Sequence, residues 1–456
     1  MRERLASRLG FILLSAGCAI GIGNVWRFPY ITGQSGGGWF VLIYLFFLAV
    51  LGVPVLVMEF AVGRAAQKSL AKAHEMLTPE HKAWRAHGVA GLLGNVLLMM
   101  FYTTVTGWMI LYFLEAATID CPNEFIPFAC SRYYQYGLLR DAGRQLYAMV
   151  GVCIGSAAVC AFGLQKGLEL VTKWMMLALL ALIVALAVNS ICLHGAGEGL
   201  CFYLVPDFAR MRSVGILTVV ANAMNQAFFT LSLGIGAMTI FGSYIEKKRT
   251  LLGEAVNVAA LDTVVAICAG LIIIPACFAY KVSPDQGPGL IFITLPKVFC
   301  KMPCGWLWGS LFFLFMSFAA LSTVLAVFEN IIALIRDYTG WGRCVTCAVV
   351  GVGIAALSIP CILGFNAWSA FQPFGEGSNV LDFEDFLVSD ILLPLGSLAF
   401  AVYCCHRYGW GWEKFLAEAN AGEGPRFPGW ARPYCAYVLP SVIVLIFILG
   451  LVRRFA

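Results

Sequence analysis

Apolar residues run along this chain in eleven blocks of about 18 to 32 residues, parted by shorter polar stretches. A helix needs about 20 consecutive apolar residues to cross a bilayer, so the pattern predicts eleven membrane-spanning helices in one transmembrane domain. Their limits fall at about 9–33, 38–66, 88–117, 146–163, 168–193, 213–244, 253–280, 305–335, 342–363, 386–406 and 433–452. The longer polar loops lie at about 118–145, 194–212 and 281–304. Within the last of these, residues 290–296 read as a short apolar helix lying over one mouth of the bundle.

The first block is not written as a plain span. It holds Gly17, Gly21, Gly23, Asn24 and Arg27 within one stretch ending at Pro29. Glycine costs about 1 kcal/mol relative to alanine inside a helix. An arginine at mid-membrane costs about 2.5–3.5 kcal/mol even on the lenient insertion scale. The stretch therefore predicts a helix broken near its middle, with bare amides and carbonyls facing a buried site. Gly21-Ile22-Gly23 then returns as Gly234-Ile235-Gly236 in the sixth block, five spans later. An odd number of crossings makes the second copy enter from the opposite face. Gly-interrupted segments at matching positions of two halves point to an inverted repeat with a midplane site. Close packing of helices at small residues is the alternative reading of either copy alone.

Composition agrees with a polytopic membrane protein: of 456 residues, 61% are hydrophobic and 12% charged. The net charge of +5 follows membrane orientation and implies no nucleic-acid partner. With the N-terminus cytoplasmic, nineteen of the 30 lysines and arginines fall inside, and Lys247-Lys248-Arg249 is the sharpest cue. Arg453 and Arg454 fall outside, against that trend. Met1-Arg2-Glu3-Arg4 leads straight into the first span, so no cleaved signal is expected, and the location is the inner (plasma) membrane. The 17 cysteines show no zinc spacing. Cys121 and Cys130 share a polar loop and leave a disulfide open there; Cys300 and Cys304 are a weaker pair.

The motifs running from Arg8 to Pro29, then Gly36-Gly37-Gly38, Pro54 and Glu59 to Arg64, resemble the signature of the neurotransmitter:sodium symporter family. The stretch from Phe228 to Ala237 is similar to that family's sixth helix. The resemblance runs from Arg8 to about Asp390 and implies an all-α LeuT-type 5+5 inverted repeat. Repeat one would span about 9–193 and repeat two about 213–406. One added C-terminal helix at about 433–452 matches the shorter bacterial branch.

The same resemblance implies a sodium-coupled symporter and two sodium sites built from hard oxygen ligands. The first would use Ala19, Asn24, Thr230 and Asp262. The family usually carries asparagine at the last position. A carboxylate there would replace the anion that some relatives bind, so chloride independence is expected, with Tyr44 and Gln226 contacting that carboxylate. An aspartate held neutral by hydrogen bonds is the alternative. The second site would use Gly17, Ile20 and Ala319 with the hydroxyls of Ser322 and Thr323; such hydroxyls also commonly bond back one helical turn.

For substrate, the resemblance implies the amides of Ile22 and Gly23 and the Tyr102 hydroxyl on a carboxylate. The ammonium would meet Ala19, Phe229, Thr230 and Ser232. The pocket would be Leu98, Phe229, Ile235, Val327 and Cys18. Gly21 stands where monoamine carriers have aspartate, so the expected cargo is a hydrophobic or aromatic free amino acid. Arg27 with Asp385 would close the outer side and Arg2 with Asp337, near Tyr244, the inner. Glu59 is deep enough to need several donors, and the broken backbones would offer them. Asp390 reads either as a proton relay or as a bonded polar residue. A sodium-linked sensor or channel-like protein is the other functional class. No histidine lies mid-span beside a nucleophile, so no enzyme is expected.

Overall fold

The computed structural model describes residues 5–118, 133–281 and 289–455. Arg2 and the Cys121–Cys130 pair lie outside the described residues; Cys304 is a free, exposed thiol. Among the described residues, nine helices are long and apolar enough to cross a membrane: α2 (Gly38–Ala66), α3 (Lys82–Ala117), α4 (Ala142–Ala161), α5 (Leu164–Ile191), α7 (Leu251–Ala279), α8 (Gly305–Thr339), α9 (Arg343–Leu363), α10 (Val380–Cys405) and α11 (Gly429–Val452). Two more are broken. In α1, Arg8–Ala19 and Gly23–Gln34 meet at a 58° bend. In α6, Ile216–Thr230 gives way to a non-helical stretch before Ala237–Gly242.

Among the described residues the expected blocks therefore appear as nine continuous and two interrupted helices. Several limits move by a few residues, two of them for evident local reasons. The sixth begins at Ile216, because Gly215 takes φ 101° and separates it from the short helix Phe208–Val214. The tenth begins six residues earlier than its apolar run, because Asn379 and Asp382 form a reciprocal capping box. That cap draws Asp382, Glu384 and Asp385 into the helix.

The helices pack with α8 along α3 and α1, α5 along α7, the second half of α6 on α2, and α11 on α10. The loops carrying the basic residues meet at one end. There Arg64 is fully buried, its Nε 2.7 Å from Glu418 Oε1 and its Nη1 donating to the Arg249 carbonyl at 2.7 Å, with a further N–H on the Glu418 carbonyl. Lys247 shares the same Glu418 at 2.8 Å.

Seven segments among the described residues form wide, π-type turns, and five share one sequence feature. Gly23–Arg27, Leu48–Gly52, Leu290–Thr294, Leu387–Leu392 and Tyr434–Val438 are each followed by one residue and then a proline: Pro29, Pro54, Pro296, Pro394 and Pro440. Proline has no N–H to give to the carbonyl four residues back, and its ring crowds that carbonyl. The preceding turn relieves the clash by widening to bonds spanning five residues.

Candidate functional site

The two breaks face each other and share a cavity. The first is opened by glycines: Ile20 still donates to the Ala16 carbonyl at 2.6 Å, but Ile20 and Gly21 leave the helix. In the second, Ser232, Gly234 and Gly236 take φ of 50°, 102° and 74°, the left-handed region that glycine tolerates. The freed backbone groups find fixed partners. Gly234 N–H donates to Glu59 Oε1 at 2.6 Å, and Asn95 Nδ2 donates to the Ile235 carbonyl at 2.8 Å. Glu59 thus supports the break of α6.

Around the first expected sodium position, Asn24 Nδ2 donates to Asp262 Oδ1 at 2.6 Å and Thr230 Oγ1 donates to Asp262 Oδ2 at 2.8 Å. All three residues are buried. Asn24 Oδ1 is buried with no hydrogen-bond partner among the described residues. A buried acceptor left so costs about 1–3 kcal/mol, and a hard cation would satisfy it. Tyr44 and Gln226 do not bond the carboxylate, which accepts from Asn24 and Thr230. Tyr44 instead reaches Thr230 Oγ1 at 3.5 Å, and Gln226 donates to the Gly23 carbonyl at 3.4 Å.

The second set converges closely. Thr323 Oγ1 lies 3.2 Å from the Gly17 carbonyl, 3.4 Å from that of Ile20 and 3.4 Å from that of Ala319. Ser322 Oγ bonds back to the Ala319 carbonyl at 2.9 Å. Three carbonyls and a hydroxyl so gathered form an oxygen cage of the kind a hard cation takes.

The cavity itself is small, about 30 Å³, and its lining includes Ala19, Gly23, Leu98, Tyr102, Phe229, Thr230, Ser232 and Ile235, together with Cys18, Asn24 and Thr323. Among the described residues no charged side chain lines it. The Ile22 N–H donates to Tyr102 Oη at 2.8 Å, so the two expected carboxylate anchors lie side by side. Ser232 N–H closes on the Phe229 carbonyl at 3.1 Å. Val327 is fully buried on α8 but does not line the cavity; the lining residue of that helix is Thr323, one turn earlier. Two lining residues escaped the sequence reading, Val388 and Leu393 of α10.

The expected closures differ from the resemblance. Arg27 makes no ion pair with Asp385 among the described residues; its guanidinium lies 4.1 Å from the centroid of the Phe229 ring. Asp385 accepts from Ser389 Oγ at 2.7 Å. Above this stack, Phe292 of the Leu290–Thr294 turn packs edge-on to Trp26, centroids 6.4 Å apart. At the other end Asp337 meets Lys68 Nζ at 3.2 Å and the Ser69 N–H at 2.8 Å. Tyr244 donates to Glu329 Oε1 at 2.9 Å, and Arg343 pairs with the same carboxylate at 2.6 Å. Asp390 sits on the Leu387–Leu392 turn and faces Gly450 of α11.

Comparison with known proteins gives four concordant findings. The model of the sodium:neurotransmitter symporter family matches residues 2–138 and 133–455. The sodium-dependent transporter YhdH of Bacillus subtilis is 33% identical over 452 residues, covering 97% of this chain and 96% of that one. A sodium-dependent transporter of Haemophilus influenzae is 29% identical over 99% of this chain and 98% of its own length. Among solved structures, MhsT in complex with L-phenylalanine superposes with a TM-score of 0.86 at 36% identity, covering 99% of this chain and 100% of that chain.

Proposed function

The chain belongs to the sodium:neurotransmitter symporter family, a sodium-dependent multi-pass membrane transporter with a LeuT-type fold, and from that premise we propose that its cargo is a hydrophobic or aromatic amino acid carried with two sodium ions. The observation that carries the reading is the cavity between the broken helices: it combines backbone groups and the Tyr102 hydroxyl with aliphatic and aromatic residues, and no charged side chain lines it among the described residues. A free carboxylate would displace the mutual bond of Ile22 and Tyr102 and take both donors, helped by the positive end of the resumed helix. The apolar walls of Leu98, Phe229 and Ile235 give a charged side chain no partner, and desolvating one there costs several kcal/mol. L-phenylalanine bound to the 36% identical MhsT is in keeping with this choice.

Sodium takes the role of second cargo. Asn24, Thr230, Asp262 and the Ala19 carbonyl would hold one ion, and Gly17, Ile20, Ala319, Ser322 and Thr323 the other. Asp262 supplies the negative charge at the first position, so chloride is not required. The N-terminus is cytoplasmic, with the basic loops on the inner face. On the outer side Arg27 and Phe229 close over the cargo, with Asp385 as the acid available to Arg27; on the inner side Asp337 anchors the closed state through Lys68. Two sodium ions moving down about 100 mV release about 4.6 kcal/mol, and a tenfold gradient of each adds about 2.8 kcal/mol. Together they support about 10⁵-fold accumulation of a zwitterion.

The test is uptake into proteoliposomes. Labelled phenylalanine, leucine or tryptophan should accumulate only with an inward sodium gradient, equally in chloride and gluconate. Unlabelled hydrophobic amino acids should compete, and lysine or glutamate should not. Sodium-dependent binding without accumulation would instead mark a sensor. Uptake lost in gluconate would refute the role given to Asp262.

A further inference from the structure

Val388 and Leu393 both line the cavity, and they are five residues apart on α10. In an α-helix such residues point about 140° away from each other, too far for both to reach one cavity of about 30 Å³. The intervening turn, Leu387–Leu392, is π-type, and the Leu393 N–H donates to the Val388 carbonyl. That five-residue bond stacks the second residue over the first. Both side chains are buried, at 1% and 3% exposure.

The wall they form is fixed against the site. A Cβ on Gly234 would lie 2.2 Å from the Leu393 carbonyl, and one on Gly396 would lie 2.0 Å from the Gly234 carbonyl. The unwound backbone of α6 therefore rests directly on α10. On α3, a Cβ at Gly94 would meet Ile235 Cγ2 at 2.6 Å and Leu392 Cδ1 at 3.5 Å, so the three elements touch at this corner. The cause of the wide turn lies one residue beyond Leu393. Pro394 gives no N–H to the Asp390 carbonyl.

We propose that the π turn of α10, held open by Pro394, is a specificity wall that limits the size of the cargo's side chain through Val388 and Leu393. The inference rests on the amino-acid cargo proposed above. Val388 and Leu393 meet the far end of an apolar side chain, opposite the carboxylate anchors. Removing methyl groups from the wall makes room for bulkier cargo; adding bulk selects smaller cargo. Pro394 is a positioning residue: it acts on the cavity only through the turn.

The experiment measures competition by tryptophan and by valine against one labelled tracer in sodium-driven uptake. Val388→Ala should shift the tryptophan-to-valine preference about tenfold toward tryptophan, the size of effect that one or two methyl groups carry in an apolar pocket. Val388→Phe should shift it the other way. Leu393→Ala gives a second enlargement if the phenylalanine variant does not fold. Pro394→Ala, which restores an N–H at a residue outside the cavity lining, should change the preference while sodium affinity stays within about twofold of the parent. The wall is refuted if Val388→Ala and Leu393→Ala both leave the preference unmoved, or if Val388→Ala and Val388→Phe move it in one direction. A parent protein that accumulates no amino acid with sodium would overturn the cargo assignment instead.

Discussion

Asp262→Asn is expected to cut sodium-driven uptake about 100-fold or more in chloride-free medium, with chloride restoring part of the loss. The substitution keeps the shape of the site. An asparagine oxygen still accepts from Asn24 Nδ2, which now bonds Asp262 Oδ1 at 2.6 Å. Its amide nitrogen faces Thr230 Oγ1, which turns from donor to acceptor across the present 2.8 Å contact. What disappears is the formal charge. Among Ala19, Tyr44, Gln226, Asn24, Thr230 and Asp262, only the last carries one. An ion left buried without its counter-charge costs about 3–5 kcal/mol, which sets the expected loss. A small anion beside Tyr44 and Gln226 would replace the charge from outside. Uptake assays of the variant in chloride and gluconate read the effect. Uptake by the Asp262→Asn variant equal to that of the parent in both media would show that Asp262 supplies no charge to a bound cation.

The second large effect is expected from a single methyl group. A Cβ on Gly21 would lie 2.4 Å from Tyr102 Oη and 3.0 Å from Thr323 Oγ1. The first atom holds the Ile22 amide, and the second faces the carbonyls of Gly17, Ile20 and Ala319. Gly21→Ala therefore disturbs the carboxylate anchor and the second oxygen cage together. Overpacking of this kind costs about 1–3 kcal/mol, so uptake should fall about 10- to 100-fold, with apparent affinities for sodium and amino acid weakening in parallel. Gly151→Ala is the control, since a Cβ there meets nothing within 4 Å. Unchanged uptake in Gly21→Ala would contradict the placement of both groups around this glycine.

The broken helices were legible because their sequence is costly in any other role. Glycines with Asn24 and Arg27 in an apolar span serve no purpose that alanine and leucine would not serve better, and the repeat in α6 doubled the signal. The oxygen cage of Thr323 and the Asn24–Thr230–Asp262 cluster followed from the resemblance residue by residue. What escaped depends on three-dimensional register. Val388 and Leu393 reach the cavity only because the turn between them is π-type, and a reading at 3.6 residues per turn sends them to different faces. The usable signal was Pro394, together with four other prolines placed alike. Val327 failed for the complementary reason: on the continuous α8, Thr323 one turn earlier takes the cavity face. Asp385 was read as lying just outside its span, and the Asn379–Asp382 cap instead starts the helix before it.

The most direct measurement of the central claim is equilibrium binding of labelled phenylalanine to purified protein across a sodium titration, with potassium as the counter-ion. If the two unwound stretches hold ions and amino acid together, binding is near background in potassium and rises with sodium along a sigmoid curve with a Hill coefficient above 1. Thr323→Ala should shift that curve to higher sodium. Binding that is the same in potassium and sodium would contradict the shared site.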